Sequence, residues 1–315
     1  MDETALDSPR ALDAIARPGG ERLGLAYWAH GVRGKVRMEG ASLARLVAHP
    51  RFGEACLQVM RDTLELSRTN PALVRVLIDI RRSMLAFFVM YLNARGGITL
   101  AAVHDLCREL GLASPGRATA LLINLRMIGY VVPDPVQVDR RSRRYVPSAA
   151  IQSTMAESFR NRGLAFALIE PEATRLTGRF GDQRIFDAYV VELAGGLSAI
   201  LKRGDSSAFT FFAERNGGLG ILYALITSAS ADDDFPPRLP LPLSSHELAS
   251  SFKVSHTHVR KLLRDAERLG YVTRNRDEIT LEQPLRDAIV EFQAANFFAY
   301  ASCACAALAA VGEEP

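Results

Sequence analysis

The fold is decided by residues 243–272, which read LSSHELASSFKVSHTHVRKLLRDAERLGYV. Ser244 is placed to cap a short helix, and Glu247 stands three residues later as its capping-box partner. The apolar face of this helix consists of Leu248, Ala249 and Phe252. Ser255 is placed to cap a second helix, whose apolar positions are Val259, Leu262, Leu263 and Ala266. Two short helices that share one small core predict a helix-turn-helix.

The opposite face of the second helix is polar and basic. Its side chains can donate hydrogen bonds to phosphates or base edges, and they are Ser255, His256, Thr257, Arg260, Lys261 and Arg264. A recognition helix in the major groove of DNA needs such a face. Residues 273–281 then place two β-favouring ends around a polar turn, which predicts a hairpin wing that carries Arg274 and Arg276.

A similar order of motifs occurs earlier in the chain. Leu110-Gly111-Leu112 forms a turn with one additional residue, and Ser114 opens a helix that ends at Ile128-Gly129-Tyr130-Val131. The later copy ends in the same way, at Leu269-Gly270-Tyr271-Val272. The earlier wing is longer and carries the arginines Arg140, Arg141, Arg143 and Arg144. Arginines near a hairpin tip are suited to phosphates or to a minor groove.

Further motif pairs recur in the same order, which predicts an internal duplication. Residues 51–54 (Arg-Phe-Gly-Glu) open the first copy, and residues 179–182 (Arg-Phe-Gly-Asp) open the second. Apolar helical segments at residues 84–88 and 218–222 follow. We therefore predict a mainly α fold with small β-hairpin wings, formed by tandem winged helix-turn-helix domains and long packing helices with pseudo-two-fold symmetry.

The predicted domain organisation has three parts. Residues 1–43 form a flexible N-terminal segment and lead-in helix, residues 44–171 the first winged-helix unit, and residues 172–315 the second unit with an apolar C-terminal helix. Packing of the units would bury the apolar runs Leu85 to Leu92 and Phe297 to Val311, which are too hydrophobic for solvent. If the two units mimic a dimer, their recognition helices should lie about 34 Å apart.

The first copy resembles the MarR family of winged-helix regulators. The similarity rests on Leu110-Gly111-Leu112, on the helix end at residues 128–131 and on the wing stretch Asp139-Arg140-Arg141-Ser142-Arg143. It is weaker in the second copy, which matches a generic helix-turn-helix better. The resemblance implies binding to double-stranded DNA and control by a small-molecule effector in a cleft between long helices and winged units. Family members are typically homodimers; here one chain supplies both halves, so either a monomeric pseudo-dimer or a homodimer is expected.

The two copies differ as readers of DNA. Aligning Ser114 with Ser255 places Pro115, Gly116, Thr119 and Ile123 where the second copy has His256, Thr257, Arg260 and Arg264. We expect the second unit to read bases, and the first to grip the backbone through Arg117 and the four wing arginines. An alternative is that Ile123 and its neighbours contact protein, because an exposed apolar residue is poorly suited to a hydrated groove.

The bulk properties fit a globular protein of the cytoplasm. The chain has 315 residues and a net charge of only +3, so a nucleic-acid surface must come from local clustering. Its four cysteines show no metal or disulfide spacing. Residues 292–312 carry no charge, but their polar residues and many alanines favour a buried helix over a membrane span.

No catalytic constellation is recognisable in the sequence. It lacks a Gly-rich phosphate loop, a nucleophile elbow and a cluster of metal ligands, so we expect neither an enzyme nor a cofactor or metal. The expected function is sequence-specific DNA binding for transcription regulation. The alternative is a winged-helix protein-interaction module with reduced or lost DNA binding, and an enzyme is a distant third.

Overall fold

The computed structural model describes residues 40–70, 79–136, 143–203 and 207–313, without the side chains of 40–42 and 198–203. Nearly all of the N-terminal segment predicted at 1–43 lies outside these residues. The described part is mainly helical and contains two small antiparallel sheets, as the sequence predicts.

The first half of the fold has six helices in its described residues and one hairpin. In chain order the elements are α1 (Gly40–Ala48), α2 (Phe52–Thr69), α3 (Ile80–Ala94), α4 (Leu100–Leu110), α5 (Pro115–Met127), β1 (Val131–Pro133), β2 (Tyr145–Pro147) and α6 (Ala149–Phe166). Helices α4 and α5 meet at the turn around Gly111, and β1 pairs with β2 in an antiparallel hairpin.

The second half repeats this order with additional short elements. A 3-10 turn (Pro171–Ala173) is followed by α7 (Thr174–Thr177), α8 (Gln183–Arg203), α9 (Ala208–Ala213), α10 (Gly218–Thr227), β3 (Leu241–Pro242), α11 (Ser245–Ser251), α12 (His256–Arg268), β4 (Val272–Asn275), β5 (Glu278–Leu281) and α13 (Gln283–Ala310). Strand β5 lies between β3 and β4 and is antiparallel to both.

The two halves share hydrogen bonds as well as element order. The amide of Tyr130 donates to the Leu125 carbonyl at 2.8 Å, and that of Tyr271 donates to the Ala266 carbonyl at 3.0 Å. In both halves a left-handed glycine precedes the tyrosine, with φ of 75° at Gly129 and 72° at Gly270. The predicted helix ends are therefore formed in the same way twice.

The strand pairing also recurs. Ile98 forms a bridge with Tyr145 in the first half, and Leu241 pairs with Ile279 in the second. In each half, a segment ahead of the two short helices is thus joined to the second strand of the hairpin. Helix, turn, helix and hairpin therefore occur twice in the described backbone, in the predicted order.

The predicted caps and apolar faces of the second copy are confirmed. The Ser244 hydroxyl accepts from the Glu247 amide at 3.3 Å, and the Ser255 hydroxyl accepts from the His258 amide at 3.1 Å. The buried face of α12 consists of Val259, Leu262, Leu263 and Ala266. The corresponding face of α5 consists of Ala118, Leu121, Leu122 and Leu125. Burial thus fixes which side of each helix is turned to solvent.

Long helices of each half pack against helices of the other half. Helix α2 of the first half packs on α10 of the second, and α8 of the second half packs on α3 of the first. Within each half, α2 packs on α6 and α8 packs on α13. This reciprocal pattern is consistent with the predicted pseudo-two-fold relation.

Two buried clusters form the core. One contains the first half together with most of α8 and the C-terminal part of α13, and the other contains α9 to α12 with the N-terminal part of α13. The boundary predicted after residue 171 was placed from the sequence repeat. It does not coincide with the division between the two clusters, and it stays a prediction. Helix α13 joins both clusters.

Helix α13 is the one described helix that is long and apolar enough to cross a membrane. Of its most apolar window, 67% is buried inside the protein. Much of its length lies against α8. The prediction that this uncharged segment is a buried helix packed on another helix is therefore confirmed.

Candidate nucleic-acid interface

The exposed face of α12 carries a cluster of basic side chains. Because the buried residues lie along one side, helical periodicity places Thr257, Lys261, Arg264 and Arg268 along the centre of the opposite side. Arg260 and His256 lie on one flank, between this line and the buried side, and all six side chains are exposed. We call these six residues the α12 outer face. Ser255, which was also predicted to contact DNA, is exposed at the N-cap of the helix.

Arg268 belongs to the basic stretch of sequence between Arg260 and Arg276 but was not among the predicted DNA contacts. It lies four residues after Arg264, one helical turn further along, and it is exposed. The interval of four residues between Arg264 and Arg268 is the sequence signal that could have placed Arg268 on this face. With Arg268 included, the face runs to the last turn of the helix.

Carboxylates neutralise little of this face. The closest ion pair joins Arg264 Nε to Asp265 Oδ1 at 3.9 Å. Within the described part of the chain, no ion pair involves Arg260, Lys261 or Arg268. These positive charges therefore stay available to a polyanion.

Arg274, predicted to contact DNA, is instead bound to Glu267. Its guanidinium donates to Glu267 Oε2 from Nη2 at 2.5 Å and from Nε at 3.0 Å, and its amide donates to Oε1 at 3.2 Å. These hydrogen bonds hold the pKa of the Glu267 carboxyl below its usual range. Arg274 thus joins β4 to α12, and its charge is already balanced.

Two basic residues of the second unit adopt left-handed backbone conformations. Lys253, in the turn before α12, has φ of 54°, and Arg276, in the hairpin turn, has φ of 50°. Among the described residues, no other non-glycine residue has positive φ. The first copy has Gly111 in the corresponding helix-turn-helix position, at φ of 62°. Side chains that persist in such strained positions point to a functional role.

Replacing either residue by glycine is expected to separate stability from binding. Lys253→Gly and Arg276→Gly each relieve the strain and should raise the free energy of unfolding by up to about 1 kcal/mol. Each also removes a positive charge from the candidate interface, so affinity for any DNA bound there should fall. Urea unfolding and DNA titration on the same preparations measure both effects. If Arg276→Gly lowers the free energy of unfolding, the Arg276 side chain stabilises the fold by more than its strained backbone costs.

His258 fixes the start of α12 to a neighbouring loop. Its Nε2 lies 2.9 Å from the Asn216 carbonyl oxygen. His258 therefore has a structural role at the start of the helix, and its separation of two residues from His256 does not suit a shared metal ion. Glu214, in the same loop, accepts from Arg81 Nη2 at 2.6 Å, which ties the loop to α3 of the first half.

The exposed face of α5 is apolar. Its buried residues place Gly116, Ala120, Ile123 and Met127 along the centre of the solvent side, which we call the α5 outer face. Ile123 is 46% exposed and Met127 is 79% exposed. The predicted contrast between the two second helices is therefore present in the structure.

Of the predicted backbone-gripping arginines, three lie in the described residues. Arg117 and Arg143 are exposed. Arg144 donates to the Gly96 carbonyl, and its Nε lies 3.8 Å from Asp134 Oδ2. Arg144 therefore holds the base of the hairpin. Arg140 and Arg141 lie outside the described residues.

An open groove of about 1140 Å³ adjoins the basic surface of the second unit. Its walls come from the C-terminal part of α2, from α10, from α11 and from the hairpin turn. Serine side chains are frequent in its lining, and Lys253, His256 and Arg276 also border it. The groove thus lies between α2 and α10 on one side and α11 with the hairpin turn on the other.

Comparison with known proteins gives no family. No family model matches the chain, and neither a curated protein nor a solved structure matches it. The similarity of the first copy to the MarR family therefore stays a prediction that rests on its motifs. The functional argument depends on the geometry of the two outer faces.

Proposed function

We propose that this protein is a sequence-specific DNA-binding transcriptional regulator with two winged helix-turn-helix units in one chain. The second unit reads base edges in the major groove. The first unit is specialised differently and grips the DNA backbone. The two units act as a pseudo-dimer, with the long helices setting their relative positions.

The α12 outer face carries this proposal. A recognition helix needs several cationic and hydrogen-bonding side chains on one exposed face. Lys261, Arg264 and Arg268 supply the positive charge, and Thr257 adds a hydroxyl group. Lys253, in the preceding turn, and Arg276, in the hairpin turn, add positive charge where both border the groove next to His256.

The first unit has features that suit contacts with the DNA backbone, which would position the protein on DNA. Arg117 stands in the first turn of α5, and Arg143 is exposed near the hairpin, so both are available to phosphates. Arg140 and Arg141 are assigned the same role from sequence. The apolar α5 outer face offers few hydrogen-bond donors, since the Thr119 hydroxyl already donates to the Pro115 carbonyl at 2.9 Å.

Selection of genomic DNA fragments by the intact chain at defined salt tests the proposal. We expect enrichment of one sequence class, and binding that weakens steeply as salt rises. Enrichment of random fragments alone would contradict sequence-specific reading. The enriched fragment then serves as the probe for all variants.

Single arginine substitutions test the division of roles. Arg260→Ala should weaken binding to the selected fragment by about tenfold, and should affect random DNA less, because a base contact is lost. Arg143→Ala should weaken binding to both DNAs by a similar factor, because a phosphate contact is lost. Fluorescence anisotropy with both DNAs measures each ratio. Equal losses in the two variants on both DNAs would contradict the division.

A second candidate function is a winged-helix protein-interaction module with reduced or lost DNA binding. The apolar α5 outer face favours it. It predicts no DNA binding by the intact chain even at low salt. The fragment selection therefore separates the two candidates.

Control by a small molecule is part of the proposal only through the resemblance to MarR proteins. The groove beside α11 is the described cleft that matches the expected place. A ligand there would contact both α2 of the first half and α11 of the second unit. It would therefore be positioned to alter how the second helix-turn-helix is held.

A further inference from the structure

The α5 outer face has the spacing of a helix-packing seam. Gly116, Ala120, Ile123 and Met127 follow one another at intervals of four, three and four residues, as the apolar positions of a heptad do. All four are exposed. The buried side of α5 already packs through a different set of residues, so this seam is additional.

The seam has small residues at its N-terminal end and large apolar residues at its C-terminal end. Gly116 and Ala120 carry little or no side chain, which allows another backbone to come near. Ile123 and Met127 are large and project one turn apart. Large apolar side chains at the centre of a contact, beside small ones, are typical of a helix-docking surface.

The charges beside the seam are all positive. Arg117 lies on one flank and Arg126 on the other, where its guanidinium stands 5.0 Å from the centre of the Tyr145 ring. Residues 110–133 contain no acidic residue. A helix that packed here would therefore gain from Asp or Glu beside its own apolar seam.

We propose that the α5 outer face binds an amphipathic helix of a partner protein whose apolar seam is flanked by acidic residues. A second copy of this chain fits less well, because pairing α5 with α5 would bring only basic flanks together. A DNA groove also fits less well, because it is hydrated and lined with acceptors. This binding does not depend on DNA binding by α12. It names the partner class for the face that favours the second candidate function, and of the residues assigned to the DNA backbone it uses only Arg117.

A synthetic helix tests the proposal on the intact chain. The probe has about four heptads, long enough to be helical when bound, with Leu at a and d and Glu at e and g. The matched probe carries Lys in place of Glu. Fluorescence anisotropy should show binding of the Glu probe at least about tenfold tighter than that of the Lys probe.

Variants locate the binding surface. Ile123→Gln and Met127→Gln should each weaken binding of the Glu probe at least about fivefold, because each removes an apolar anchor. Leu164→Gln is the matched control, since Leu164 is 44% exposed but lies on α6, and it should leave binding unchanged. All three side chains are exposed, so thermal unfolding should be near that of the parent chain.

Four results would overturn the proposal. The first is equal binding of the Glu and Lys probes, and the second is binding of the Glu probe that Ile123→Gln and Met127→Gln leave intact. The third is a dimer in sedimentation velocity that these variants abolish, which would identify a second copy as the occupant. The fourth is a loss of DNA affinity in both variants without any binding of the Glu probe, which would place the face on DNA.

Discussion

Replacing Gly163 by alanine is expected to lower the free energy of unfolding by about 2–3 kcal/mol. Gly163 lies on α6, where an added Cβ would overlap the hydroxyl of Tyr300 and lie 2.7 Å from its Cζ and 2.8 Å from Thr177 Cγ2. Tyr300 is 1% exposed, and its ring lies 6.0 Å from that of Phe166. The ring therefore has no room to move away.

Two further variants make this measurement specific. Gly195→Ala, on α8, adds a methyl group that meets nothing within 4 Å, so it should stabilise the chain by about 0.5–1 kcal/mol. Adding Tyr300→Phe to Gly163→Ala removes the overlapping hydroxyl and should recover part of the loss. Urea unfolding of all variants gives the comparison. If Gly163→Ala is as stable as the parent chain, α6 and α13 do not meet as described.

Exchanging the outer faces is expected to have the largest effect on DNA binding. The triple variant Lys261→Ala, Arg264→Ile, Arg268→Met gives α12 the side chains that α5 has in the same positions. It should weaken DNA binding at least about a hundredfold at low salt, because up to three phosphate or base contacts are lost. The slope of log affinity against log salt should become shallower by about 2–3.

The reciprocal exchange is the matched control. Ala120→Lys, Ile123→Arg, Met127→Arg gives α5 the cationic side chains of α12 and should raise affinity for random DNA. The buried faces of both helices are untouched, so unfolding should change little in either variant. An α12 triple variant that keeps full DNA affinity would show that the DNA surface lies elsewhere.

Local sequence patterns were sufficient for the short elements. Ser244 and Ser255 cap their helices through hydrogen bonds that span three residues, and Val259 to Ala266 follow one helical period. Such signals depend on a few neighbouring residues, so they can be recognised without knowledge of the rest of the fold. The repeated helix ends at Gly129 and Gly270 were recognisable for the same reason.

Pairings between distant segments could not be predicted in this way. Arg274 looked available in the sequence, but it bonds to Glu267 seven residues earlier, on α12. Arg144 bonds to Gly96, which lies far away along the chain. The exchange of partners between α2 and α10 depends on the packing of whole helices, for which hydrophobic periodicity indicates a buried face but not its partner.

The sequence contained only an indirect sign of conformational strain. Lys253 occupies a turn position where the first copy has glycine. Only the backbone angle shows that a lysine stands in a left-handed conformation there. The sequence signal was the mismatch between Lys253 and Gly111 in two otherwise similar turns.

The exchange of helices between the halves has a consequence for synthesis on the ribosome. Helices α2 and α3 emerge long before α10 and α8, the helices of the second half that cover them. During translation, the first half therefore keeps apolar surface uncovered until the second half has been made. Nascent chains of this protein should accordingly need shelter from aggregation for most of their synthesis, even though the finished chain buries these helices.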